Sequence, residues 1–344
     1  MCLDVSGGPV KHAIHAHTHI GMVRDENQDS VATYAYTDTL SLMIVADGMG
    51  GYAGGSVASS LVTSTMLSHL EKISPEELRA NPQLHLRLAA HTANMAVNQE
   101  ARAKLEFRDM GSTLVAMLVD ENKAIVAHVG DSRAYLIRGG EIRLITEDHT
   151  VVQDLVRAGY ILPEDADHHP SAGILTRCLG QADMADPTFS DPLQLEPGDC
   201  IVLCSDGLSG MLDDEEIASI ICQESPEEAP LRLVDAANSA GGFDNVTVAL
   251  FYYGDFPAQA RLFPIQVGPP LYRLIEPTAS LEEPTVPFSF TSKDKAKLHD
   301  TMSLQTIPVY QKRSLQTEWL WPLLIGIGII SIGLFLWYFW GTGL

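Results

Sequence analysis

The sequence predicts a chain of mixed helix and strand, in the α+β class, with two sheets flanked by helices. Two observations carry this expectation. Groups of strand-like segments alternate with pairs of helix-like segments along the chain. The strand-like segments are of two kinds, some alternating apolar with polar residues and others continuously apolar, as a strand covered on both faces is. Such strands need cover above and below, a pattern that suits two sheets with helices outside but by itself says only mixed α and β.

Residues 12–20, HAIHAHTHI, open the order as a strand with His15, His17 and His19 on one face. No cysteine or carboxylate completes a ligand set at metal spacing, so these histidines are expected on a solvent face or an edge. The loop RDENQD (24–29) follows. Residues 40–55, LSLMIVADGMGGYAGG, run apolar through Leu42, Met43, Ile44 and Val45, stop at Asp47 and break into glycines at 48, 50, 51, 54 and 55. That is a buried strand ending on a carboxylate, then a backbone free to turn sharply near a ligand. Val57, Leu61, Val62, Met66 and Leu70 recur at helical spacing within 56–72, and a second helix is expected over about 83–107, punctuated before it by Pro75 and Pro82. Residues 111–119 and 123–129 read as adjacent strands. DSRAYLIRGGEIRLIT, from Asp131, reads as two strands about a Gly139-Gly140 hairpin. Later, CIVLCSDG (200–207) again runs apolar into an Asp-Gly pair, two helices are expected over about 213–222 and 227–240, and DNVTVALFYY (244–253) closes as a strand.

An ionised aspartate at the end of a core strand is costly to bury unless a cation compensates it. Asp47 and Asp206 repeat that pattern, Asp244 stands just before a strand, and Asp29 lies near Arg24. Taken singly each Asp-Gly reads first as a turn. Taken in order, RDENQD, VADGMGG, GST, VGDSRAY, TEDHT, LTRCLG, SDGL and DNVT resemble the metal-dependent protein phosphatases of the PPM family, the type 2C serine/threonine phosphatases, in their bacterial form. The resemblance covers about residues 12–254.

The resemblance implies a four-layer α/β/β/α sandwich with two antiparallel sheets and a mobile flap over about 146–180. It implies a metal site in which Asp47 bridges two ions, the Gly48 carbonyl reaches one, Asp206 and Asp244 hold the other, and Asp29 contributes an outer contact. Arg24 would bind the substrate phosphate, a task suited to its planar fork of donors. Asp131 would help a third, weaker site, although Gly210 stands where many relatives carry an aspartate completing it. Gln28 replaces a frequent glutamate. Met49 stands where eukaryotic relatives carry a histidine general acid, so no side chain is assigned to protonating the leaving oxygen. Oxygen-only ligands point to hard ions, Mn2+ or Mg2+, rather than zinc. His91, His149, His168 and His169 are expected to pack or cap rather than bind metal.

Lys and Arg total 22 against 44 Asp and Glu, a formal net charge of -22. A nucleic-acid partner is excluded by the lack of a basic stripe, and catalysis on phosphate needs local positive charge. Five cysteines without CxxC spacing fit a reducing compartment, with Cys200 and Cys204 as buried structural thiols. Residues 1–20 hold no apolar run of a signal peptide.

From residue 255 prolines and threonines dominate, and 255–318 reads as a linker, its stretch 261–275 apolar enough to dock on the domain. Residues 319–340, WLWPLLIGIGIISIGLFLWYFW, are uncharged, long enough to span a bilayer and aromatic at both ends. Residues 341–344 form a short tail. Lys312 and Arg313 precede the span, so the positive-inside rule sets the catalytic domain, 1–254, in the cytoplasm of a single-pass membrane protein. The expected function is two-metal hydrolysis of phosphoserine and phosphothreonine in proteins, opposing a membrane serine/threonine kinase. Two rivals stand beside it: a catalytically silent membrane adaptor for phosphoproteins, and a phosphatase for a small phosphate ester.

Overall fold

Alternate side chains of the central strands meet different neighbours, and this alternation stacks the molecule in layers. The computed structural model describes residues 12–166, 169–180, 186–254 and 264–272. The expected membrane segment 319–340, its tail and most of the linker lie outside these residues, as does His168. Among the described residues no helix is long and apolar enough to cross a membrane.

The chain begins β1 (His12–His19), β2 (Asp29–Ala35), β3 (Leu40–Met49), α1 (Gly51–Leu70), α2 (Pro75–Ala80) and α3 (Pro82–Ala103). It continues β4 (Gly111–Ser112), β5 (Leu114–Asp120), β6 (Lys123–Val129), β7 (Arg133–Arg138), β8 (Glu141–Leu144) and α4 (Val151–Arg157). After β9 (Thr188–Phe189), β10 (Leu193–Gln194) and β11 (Asp199–Cys204) come α5 (Asp206–Ser209), α6 (Asp214–Gln223), α7 (Ala229–Ser239), β12 (Val246–Tyr253) and β13 (Gln266–Val267). One sheet has the order β1-β12-β11-β7-β8-β13, the other β10-β6-β5-β3-β2, with β4 on β3 and β9 on β6.

On β3, Leu42, Ile44 and Ala46 pack under α1 and α3, while Met43 and Val45 face the other sheet. On β11, Cys200, Val202 and Cys204 pack under α6 and α7, while Ile201 and Leu203 face back toward β3. Three apolar layers thus separate helices, sheet, sheet and helices, the four-layer α/β/β/α arrangement. Cys178, Cys200, Cys204 and Cys222 are buried, and burial pushes the Cys204 thiol up to about 12, so the structural role expected of Cys200 and Cys204 fits.

Three boundaries differ from the sequence expectation. Helix α1 starts at Gly51 rather than residue 56, because the glycines form its first turns and let it lie against neighbouring backbone. The stretch expected as one helix over 83–107 ends at Ala103, followed by a separate turn at Leu105–Phe107. Helix α7 starts at Ala229, since Ser225 forms a turn of its own by accepting the Glu228 N–H (3.3 Å).

Among the described residues the strand pairs are antiparallel with one exception. Within the stretch read as linker, residues 264–272 join the sheet, with β13 parallel to β8. The N–H groups of Gln266, Gly268 and Leu271 donate to the carbonyls of Gly140, Ile142 and Leu144 (3.1, 2.9 and 2.7 Å). Ile265 packs toward α6 and α7, and Leu271 toward the seam between the sheets. Burial, reinforced by the nearby Glu147 and Asp148 carboxylates, holds the Tyr272 phenol protonated, and it hydrogen-bonds Gln153 of α4. Replacing Leu271 with Asp in the full chain is expected to lower stability by about 1–2 kcal/mol, the usual cost of a polar group set into an apolar contact; an unchanged denaturant midpoint would show that this segment contributes nothing.

Candidate active site

The acidic residues gather at one end of the seam between the sheets. Asp29, first in β2, is the cross-strand partner of Asp47, near the end of β3. Asp47 shares the parity of Met43 and Val45, which places it on the seam side. From the other sheet, Ser205 ends the β11 run just before Asp206, and its hydroxyl donates to Asp29 Oδ2 (2.7 Å). The same hydroxyl accepts the Thr247 N–H (3.0 Å), and the Ser205 N–H donates to the Thr247 carbonyl (3.0 Å). Thr247 lies three residues past Asp244. A single serine therefore ties Asp29 of one sheet to the segments carrying Asp206 and Asp244 of the other.

Asp47 is buried, and its backbone is held on both sides by Thr113. The Asp47 N–H donates to Thr113 Oγ1 (2.9 Å), and the Thr113 N–H donates to the Asp47 carbonyl (2.8 Å). Thr113 Oγ1 also shares a hydrogen bond with Ser132 Oγ (2.6 Å), which neighbours Asp131. The motifs GST and VGDSRAY thus work as girders for the acidic strand end. Gly48 donates its N–H to the Gln28 carbonyl (3.0 Å), and a Cβ at this position would collide with the Gly55 carbonyl, so the close approach of strand and helix requires glycine here. Asp131 is buried in the β6–β7 connection at this same end.

Arg24 extends along Asp244. Its Nη2 donates to Asp244 Oδ2 (2.8 Å) and its Nε to the Phe243 carbonyl (3.3 Å), while Asp244 Oδ1 accepts the Asn245 N–H (2.9 Å). The guanidinium remains partly exposed, with further N–H donors directed by its planar fork. Asn245 was not marked in the sequence as more than the neighbour of Asp244, yet it suspends the whole Arg24 loop. Its Nδ2 donates to the carbonyls of Ile20 (2.8 Å) and Glu26 (2.9 Å), and its Oδ1 accepts the Gln28 N–H (2.8 Å). The only signal in the sequence was an amide directly after the acid, a residue type able to bridge backbone donors and acceptors.

The flap is rooted beside these elements. Arg133 grips Asp148 through Nε and Nη2 (3.1 and 2.7 Å), and Leu179 exchanges backbone hydrogen bonds with Ser112 of β4, the strand paired to Gly48 and Met49. His128 and His149 stack with ring centroids 4.6 Å apart. The Gly130 N–H donates to His149 Nδ1 (3.1 Å), so its proton sits on Nε2, which donates to Thr188 Oγ1 (2.9 Å). Burial, with His128 and the Arg177 and Arg157 cations adding to it, drives the His149 pKa down to about 2. His169 Nδ1 accepts the Ser171 N–H (3.1 Å), a capping role. His91 lies 3.3 Å from Asp186, and β1 with its histidines forms a sheet edge, as expected.

The donor set suits hard divalent ions. It consists of carboxylates and the Gly48 carbonyl, oxygen donors throughout. Among the described residues no three His, Cys, Asp or Glu side chains are gathered as a cage for one ion. An ion held here would draw on one or two carboxylates together with backbone oxygen and water, the manner in which Mg2+ is usually held. Gly210, whose N–H donates to the Asp206 carbonyl (2.7 Å), offers a third site no carboxylate.

Residues 17–229 match the family model described as "Protein phosphatase 2C". The chain belongs to the protein phosphatase 2C family. Protein phosphatase PhpP of Streptococcus pneumoniae is 38% identical over 237 residues, covering 68% of this chain and 94% of that protein. The solved serine/threonine phosphatase of S. agalactiae superposes with a TM-score of 0.67 at 35% identity, over 70% of this chain and 99% of its own. The catalytic domain of PstP, solved with 2 manganese ions, superposes with a TM-score of 0.62 at 35% identity, over 72% and 100%. As a member of the 2C family the chain is an enzyme, a protein serine/threonine phosphatase, of a family that works with Mn2+ or Mg2+.

Two outcomes follow from the geometry. Asn245→Ala strands three backbone groups of the Arg24 loop and should cost about 2–4 kcal/mol, at about 1 kcal/mol or more for each; a thermal melt unchanged from wild type would refute the suspending role. Protonation should also weaken the fold. His149 takes up a proton near pH 6.5 when unfolded but only near 2 when folded, so its contribution is complete above pH 6.5 and falls as pH drops below it. Wild type should lose about 2 kcal/mol more than His149→Gln between pH 7 and pH 5, at about 1.4 kcal/mol per pH unit below 6.5, measured by urea denaturation.

Proposed function

We propose that this chain dephosphorylates phosphoserine and phosphothreonine in proteins, using a pair of Mn2+ or Mg2+ ions held by Asp29, Asp47, the Gly48 carbonyl, Asp206 and Asp244. The observation that carries the reading is the Asp29–Ser205 hydrogen bond across the seam, which ties the strand pair bearing Asp29 and Asp47 to the segment bearing Asp206. When bound there, such ions supply charge neutralisation and an activated water for in-line attack on phosphorus. Asp47 would serve both ions; it stands opposite Asp29 and shares the seam-side parity of Met43 and Val45. Arg24 turns from Asp244 to the phosphoryl oxygens and orients the group, leaving the Asp244 carboxylate for an ion. Asn245 and Ser205 keep these groups in register without taking part in the chemistry. Asp131 is assigned to a third, weaker site only if another carboxylate or water completes it.

The uncharged stretch 319–340 supports tethering to a membrane, with the catalytic domain in the cytoplasm and a membrane serine/threonine kinase as the opposing enzyme. A silent phosphoprotein adaptor is disfavoured because it has no use for an acidic cluster that destabilises the fold. A small phosphate ester as substrate is separated from a phosphoprotein by comparing turnover of the two.

Phosphate release from a phosphothreonine peptide should require Mn2+, cease with a chelator and return on adding the metal. Asp206→Asn should lower kcat/KM by about a hundredfold or more, since even residues that only support metal ligands are worth ten- to a hundredfold. Arg24→Lys should act mainly on KM, through loss of the bidentate fork. Full activity in Asp206→Asn would remove the metal assignment.

A further inference from the structure

Three large apolar side chains stand in the open around Arg24. Met22, Val23 and Phe243 are 66%, 51% and 62% exposed. Single exposed apolar residues need no explanation, but a group sharing one spot does. These three share the pair of chain segments that carry Arg24 and Asp244. The Met22 N–H donates to the Gly242 carbonyl (2.8 Å), which lays residues 20–24 alongside 241–244. The Met22 Cγ lies so low over Gly242 that a Cβ there would come within 2.7 Å of it, and the Phe243 ring folds back so that a Cβ on Gly241 would stand 2.8 Å from its Cε2. The glycines are thus the floor on which both side chains rest, and both have φ in the left-handed region, +139° and +54°. The Phe243 carbonyl meanwhile accepts from Arg24 Nε.

We propose that Met22, Val23 and Phe243 form a ledge that takes an aliphatic or aromatic residue immediately beside the phosphoserine or phosphothreonine of an extended polypeptide substrate. The inference rests on the reading of Arg24 as the phosphoryl-orienting group, and it names a preference of that same site. Connection supports it. Val23 directly precedes Arg24, Phe243 directly precedes Asp244, and Arg24 bonds both the Phe243 carbonyl and the Asp244 carboxylate, so the exposed apolar residues belong to the segments that hold the guanidinium. Charge supports it as well. Asp25 and Glu26 follow directly, on a chain of net charge -22, so an acidic flanking residue is repelled where an apolar one is buried. The ledge is a determinant of specificity and leaves the chemical step to the acids.

The test uses the full chain with Mn2+ and three substrates: free phosphothreonine, a phosphothreonine peptide flanked by leucines, and the same peptide flanked by serines. Wild type should favour the leucine peptide about tenfold in kcat/KM, equivalent to about 1.4 kcal/mol, chiefly through KM. Phe243→Ser and Met22→Ser should each erase most of this preference while free phosphothreonine is turned over as in wild type, and Phe243→Leu should retain it. Equal kcat/KM for the two peptides in wild type, or a preference untouched by both serine variants, overturns the ledge alone. Failure to hydrolyse all three substrates overturns the reading of Arg24 and the ledge with it. A concentration-dependent dimer that Phe243→Ser abolishes would assign the surface to a second copy of the chain and overturn the proposal.

Discussion

Bringing Asp29, Asp47, Asp206 and Asp244 together at one end of the seam is the constraint on which the rest of the structure depends. Two like charges about 4 Å apart near a protein surface repel by about 4 kcal/mol, so the acids exert a force that opens the site. The framework opposing that force is almost wholly uncharged. Thr247, Thr113, Ser132 and Asn245 fix the backbone on either side of the acids by neutral hydrogen bonds, and Ser205 alone of this set donates to a carboxylate, that of Asp29. The neutral bonds keep the strand ends in place whatever the charge state of the acids between them. Arg24, ion-paired with Asp244, is the exception, held by a partly exposed contact of the kind that contributes little to stability.

Much of this was legible in the amino-acid order. The unbroken run Leu42–Val45 announced a strand covered on both faces, and both faces are covered. Asp47 and Asp206 after apolar runs, with Asp244 before one, announced acids at strand ends. The layering itself was not legible from pattern, which distinguishes buried strands from half-buried ones but carries no record of which strands pair; the resemblance to a known family supplied it. The register of Asp29 against Asp47 is a fact of pairing between strands joined by a short connection, and no periodicity encodes it.

What escaped the sequence were residues whose importance arises from distant partners. Asn245 bonds residues more than two hundred positions earlier. His149 looked like any histidine in a loop, and only the fold reveals that it is packed on His128 and kept neutral by burial. Helix α1 was read as starting too late because glycines suggest loops, whereas here the missing side chains let helix and strand touch. Phe243, between a diglycine and Asp244, carried no helical or strand periodicity to mark it as exposed.

The strand made by Gln266 and Val267 lies against the strand that leads into residues 146–180. Leu271 is bonded to Leu144, only two residues before the flap begins, and Tyr272 touches Gln153 within it. Residues 264–272 are therefore bonded to the sheet and to α4 at once, so that loosening this short strand would unseat Leu144 and Gln153 together.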